Sequence, residues 1–107
     1  MLALVNEVTA GMALKYNKHY IGLAHDGIAD NFVVFRPRRE HAIADFRIPR
    51  SDEVTALISD SGADALEYEK RYGYYRLRLT GKDVAAHREL LLDLIRRASK
   101  TPPSADT

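Results

Sequence analysis

The segment Ala65-Leu-Glu-Tyr-Glu-Lys-Arg-Tyr-Gly-Tyr-Tyr-Arg-Leu-Arg-Leu79 constrains this chain most, because charged and apolar residues alternate on both sides of a Tyr-Gly pair. A period of two marks a strand with one face buried and the other in water. A two-residue turn at Tyr72-Gly73 would set residues whose numbers sum to 145 opposite each other. Glu69 then faces Arg76 and Glu67 faces Arg78, while Tyr68 meets Leu77 and Leu66 meets Leu79. A slip of one residue would put Glu beside Leu and turn the apolar set outward. Each opposed charge pair contributes only ~0.2–1 kcal/mol, so the pairs define register more than they stabilise it. The expectation is a β-hairpin, and with it an antiparallel sheet.

Short runs separated by turn residues continue that pattern upstream. His19 to Ala24 reads as a first strand, followed by an Asp-Gly turn at His25-Asp-Gly27. Asn31 to Pro37 is the second. Its block Phe32-Val-Val-Phe35 is apolar at consecutive positions, as in a strand covered on both faces, so it should be central. Pro37 lacks an N–H and should end the pairing. His41 to Ile48 is the third strand, with Ala42, Ala44, Phe46 and Ile48 facing one way and Ile43, Asp45 and Arg47 the other.

Helical signals frame these strands. Leu2 to Ala10 carries a partial stripe at 2, 4, 5 and 8 and stops at Gly11, and Met12 to Lys18 reads as a connector. Ser51 can cap a helix of roughly ten residues whose stripe is Val54, Leu57 and Ile58 and whose left-handed stop is Gly62. Thr80-Gly-Lys-Asp83 is a capping-box variant that opens one long helix, with Val84, His87 or Arg88, Leu91, Leu94, Ile95 and Ala98 on its apolar stripe. Residues 101–107, with two prolines and no packing residue, read as a disordered tail after one domain over 1–100. The order is α-β-β-β-α-β-β-α. It defines an α+β fold, an antiparallel sheet of about five strands with helices on one face.

Composition excludes several function classes. With 107 residues there is room for one core, and the absence of Cys removes disulfides, a thiol nucleophile and thiolate metal sites. Sixteen basic residues against fifteen acidic ones leave no strong overall field. No apolar run approaches the ~20 residues of a membrane span, and Met1-Leu-Ala-Leu-Val5 lacks the pattern of a signal peptide, so no membrane partner and a cytoplasmic location are expected.

The blocks YNKHYIGL, NFVVFRPRR, FRIPRSDEV, GADALEYEKRYGYYRLRL and HRELLLDLIRRA resemble an uncharacterised bacterial family of small C-terminal domains, loosely labelled predicted transport proteins. The resemblance spans residues 15 to 98. It implies an α+β fold, no known cofactor, and attachment to larger bacterial proteins, some of them restriction-like. Where such members carry Trp, this chain has Tyr72.

Catalytic signals are weak. Glu67, Glu69 and Lys70 invite comparison with metal-dependent nucleases, but their order is wrong and both Glu have Arg partners in the expected hairpin. His19, His25, His41 and His87 show neither metal-ligand spacing nor a neighbouring nucleophile, and the glycines form no phosphate loop. The expectation is not an enzyme, with no cofactor and no metal. Basic residues do concentrate: Arg36, Arg38, Arg39, Arg47 and Arg50 face only Glu40 and Asp45 in the same stretch. On a sheet edge these arginines could meet the phosphates of DNA or RNA, with Tyr72 and Tyr74 at the hairpin tip for stacking or partner contacts. Edge protection against aggregation is the simpler explanation of the same charges. The functional expectation is thus a non-catalytic recognition or assembly domain accessory to a bacterial nucleic-acid system. Its alternative is a protein-interaction or homodimerisation domain.

Overall fold

A computed structural model describes residues 2–16, 20–25 and 27–101. Eleven elements follow one another: α1 (Leu2–Val8), β1 (Met12–Tyr16), β2 (Ile21–His25), β3 (Ile28–Ala29), β4 (Val33–Pro37), β5 (Ala42–Arg47), α2 (Asp52–Ser61), β6 (Asp64–Ala65), β7 (Tyr74–Leu79), α3 (Gly81–Ala86) and α4 (Arg88–Ser99). The sheet is antiparallel throughout, and its main path runs β1-β2-β4-β5-β7-β6, with β3 paired to β2 off that path. The α+β class and the expected order hold. The path has six strands rather than five, because the stretch read as a connector is β1, paired with β2 from Met12↔His25 to Tyr16↔Ile21. Only its partner makes that stretch a strand, since Met12 alone is buried in it.

One face of the sheet carries the helices. Leu23, Val33, Phe35, Ala44, Phe46 and Leu77 join Leu4 and Val5 of α1, Val54 and Ile58 of α2, and Leu91, Leu94 and Ile95 of α4 in a continuous core. The block Phe32–Phe35 is buried at all four positions and β4 lies between β2 and β5, as its composition requires. Pro37, however, does not end the pairing: it sits opposite Ala42, and the Arg38 N–H bonds the His41 carbonyl beyond it. Arg38 and His41 form a hydrogen-bonded pair, so the neighbouring Pro37 needs no N–H toward β5.

Local chemistry sets the helix ends. Ser51 Oγ accepts the Val54 N–H at 3.2 Å, and Gly62 closes α2 in the left-handed region with φ 77°. The buried Tyr75 hydroxyl on β7 accepts the Ser51 N–H and donates to the Ser51 carbonyl, fixing the start of α2 to the sheet. Thr80 and Asp83 form the full capping box of α3. The single long helix expected after it is two pieces that meet at His87, where φ and ψ are −110° and 29°. No residue of α3 is fully buried, whereas α4 buries Leu91, Leu94, Ile95 and Ala98, so only the second piece is held to the core.

The hairpin differs most from its sequence reading. Asp64 faces Arg78, Ala65 faces Leu77 and Glu69 faces Tyr74, so the register sums to 142 and then 143 rather than 145. The turn holds four residues, Lys70 to Gly73. Both Glu69 carboxylate oxygens accept backbone N–H groups, from Arg71 at 2.8 Å and Tyr72 at 2.7 Å, and Gly73 supplies a φ of 79°. Glu67 and Tyr68 together stand against Tyr75, one residue in excess, which is the count of a bulge. Neither expected ion pair forms. Arg78 pairs with Asp64 at 3.0 Å, and Arg76 turns to β5.

Several sequence expectations fall partly or wholly on residues that are not described. His19 and Asp26 lie outside the described residues, as does 102–107 of the expected tail. Thr101 belongs to the folded part: its N–H bonds the Ala98 carbonyl and its hydroxyl the Arg97 carbonyl.

Candidate functional site

Strand alternation sends Arg36, Asp45 and Arg76 to the face away from the helices. Asp45 stands directly opposite Arg76 in the β5–β7 register and beside Val34 in β4, so Arg36 reaches it diagonally. Arg76 Nε donates to Asp45 Oδ1 at 3.0 Å and Arg36 Nε donates to Oδ2 at 3.1 Å. Asp45 is 3% exposed, the one charged residue buried among the described residues. Burying a lone carboxylate is costly, and here two charge-assisted hydrogen bonds offset that cost.

The arrangement has a chemical consequence. Each guanidinium spends its Nε on Asp45 and keeps its Nη groups, which have no acceptor among the described residues. Three charged groups leave a local excess of one positive charge. Arg36 also lies over the Tyr20 ring, 5.5 Å from its centroid, which limits its rotation. Two guanidinium groups are therefore held on one carboxylate, each partly exposed with its Nη donors unspent, an arrangement suited to phosphate or carboxylate oxygens.

A concavity of about 470 Å³ lies over this pair. Arg38, Arg71, Tyr72 and Tyr74 complete its rim and floor, with Glu69. Four guanidinium groups face two carboxylates there, and both carboxylates are already engaged, Asp45 by the arginines and Glu69 by the turn. The Tyr74 hydroxyl donates to the Asn31 carbonyl at 3.1 Å. Burial raises its pKa, opposed by the charge of Arg47, so the phenol stays neutral. Tyr72 is 43% exposed, with the Arg71 guanidinium 5.1 Å from its ring centroid.

The seven residues singled out from sequence thus separate. Arg36, Arg38, Tyr72 and Tyr74 come together around the concavity. Arg39 is exposed in the β4–β5 turn, outside it. Arg47 is turned inward: its Nη2 donates to the Thr101 carbonyl at 2.9 Å and to Asp30 at 3.4 Å, and its side chain is 12% exposed. Arg50 lies over the Tyr68 ring beside α2, in a different cavity. The sheet-edge reading is also corrected, both for binding and for edge protection, because β4 and β5 are interior strands and β1 and β6 are the ends of the path.

Sequence reasoning missed Arg71 and Arg76 and assigned Asp45 no role. Parity could have flagged Arg76, which alternates with the core residues Tyr75, Leu77 and Leu79. Its neighbour in space could not be read, because the β5–β7 pairing brings together residues separated by a helix and a hairpin.

No group of three or more His, Asp or Glu side chains that could hold a metal occurs among the described residues, and no described helix is long and apolar enough to cross a membrane. No family model, curated protein or solved structure matches the chain.

Proposed function

We propose that this chain is a non-catalytic recognition module that binds the phosphate backbone of DNA or RNA across its open sheet face. One observation carries the reading: a buried carboxylate holds two guanidinium groups side by side with their Nη donors unspent. Arg38 and Arg71 add charge around the same concavity. The resemblance read from the sequence, to bacterial C-terminal domains, supports reading such a module as an accessory of a nucleic-acid system.

A salt titration of binding to a labelled oligonucleotide tests this. Four cationic contacts give a slope of log K against log salt of about −2 to −4, because each neutralised phosphate releases its counterions. Arg38→Ala, at a side chain whose only bond is to the Pro37 carbonyl, reduces that slope by roughly one. Absence of binding at low salt overturns the proposal.

A second reading, self-association, is favoured by one observation: Tyr16 is 73% exposed on the end strand β1. Paired end strands would give a mass that doubles with concentration in sedimentation, and a constant monomer mass rejects that.

A further inference from the structure

The open face carries more than charge, and its shape bears on which nucleic acid fits. We propose that the concavity over Arg36 and Arg76 takes one nucleotide of a single strand, with its phosphate on the two guanidinium groups and its base on Tyr72. This deepens the phosphate-binding reading and rests on it.

Three observations lead there. First, the helices packed on the core lie on the other side of the sheet. Reading a duplex through its major groove requires a helix or a two-stranded ribbon that enters it, and this face offers neither beyond a four-residue turn. Second, the site is concave. At about 470 Å³ it falls within the ~300–1,000 Å³ range of small-ligand pockets, and a duplex keeps its bases stacked inside and can present only phosphate and sugar to such a hollow.

Third, aromatic rings and guanidinium groups are interleaved around it. Tyr72 lines the concavity and stays 43% exposed, which leaves its ring accessible to a flat partner. Arg71 lies over the same ring and presents a second flat cation. Bases stack on both kinds of surface, and only an unpaired base has a face free to do so. Glu69 fixes the backbone that carries Tyr72: its carboxylate accepts the Arg71 and Tyr72 N–H groups, which holds the turn presenting the ring in one conformation.

The test compares fluorescence anisotropy of a labelled single strand and of its duplex at one salt concentration, for the natural chain, Tyr72→Ala, Tyr72→Phe and Leu57→Ala. The single strand binds more tightly than the duplex. Tyr72→Ala weakens single-strand binding by about 5- to 150-fold, the loss of one base stack, and leaves duplex binding within two-fold. Tyr72→Phe keeps the stack and stays near the natural chain, and Leu57→Ala, at an exposed apolar side chain on α2, changes nothing. A duplex bound as tightly as the single strand, or Tyr72→Ala within two-fold on the single strand, overturns the inference while leaving phosphate binding intact. Failure of both probes to bind at low salt removes the phosphate reading itself.

Discussion

Asp45 organises the open face because it is the only acceptor between two cations. Replacing it with Ala leaves Arg36 and Arg76 unpaired and facing each other, with the two Nε–H donors unsatisfied. Hydrogen bonds to charged groups contribute about 1.5–3 kcal/mol, and the arginines are partly solvated, so Asp45→Ala should lower stability by about 2 kcal/mol in urea unfolding. A change below half of that would mean water replaces the carboxylate at little cost. Gly22 is a second residue with a sharp requirement. A Cβ there would lie 2.1 Å from Asn31 Oδ1, which accepts the Leu23 N–H at 3.1 Å. Gly22→Ala must displace that side chain and should cost about 1 kcal/mol or more, measured the same way. Neither requirement was legible in the sequence, since each depends on a neighbour across the sheet rather than along the chain.

At the scale of elements, the sequence was most informative where one short segment contains all the chemistry. The Ser51 cap, the Gly62 stop and the Thr80–Asp83 box each need only residues within one helix, and all three are present. Ser51→Ala should cost about 1 kcal/mol, read as a shift in the urea midpoint with an unchanged slope. Asp83 gives a pH dependence. Hydrogen bonds from the Thr80 N–H and hydroxyl hold its carboxyl below the ordinary value of about 3.9, so the folded state releases this proton more readily than the unfolded chain. Its stabilisation is complete above that ordinary value and is lost as pH falls through the lowered one. Asp83→Asn should therefore lose less stability than the natural chain over that acidic range, and equal losses would contradict the assignment. The hairpin was misread for the converse reason. Alternation over 65–79 fits several registers, and the one adopted is chosen by Glu69 closing a four-residue turn and by Asp45 drawing Arg76 away. Pattern alone gives a hairpin, and its pairing depends on contacts outside it.

Across the whole molecule, the two faces of the sheet divide stability from recognition. The helix face buries Leu77, Leu91, Leu94 and Ile95 completely, and Leu94→Ala should cost about 2–5 kcal/mol in urea unfolding, a large share of the ~5–15 kcal/mol that holds a domain folded. Ion pairs of Arg97 with Glu53 and of Arg88 with Glu7 tie α4 to α2 and α1 on that side. The open face buries Val34 and Ile43 beside Asp45 and holds the guanidinium groups that the overall charge balance conceals. Its arginines come from two strands, β4 and β7, and from two turns, so only the sheet order, with β5 and its Asp45 between those strands, makes them one surface. The most direct test is amide shift mapping by NMR as a single-stranded oligonucleotide is added. The largest changes should fall on residues 34–38, 43–46 and 70–77, with those around Arg50 and α2 unmoved. Changes centred on Arg50 and α2, or none at low salt, would contradict the account.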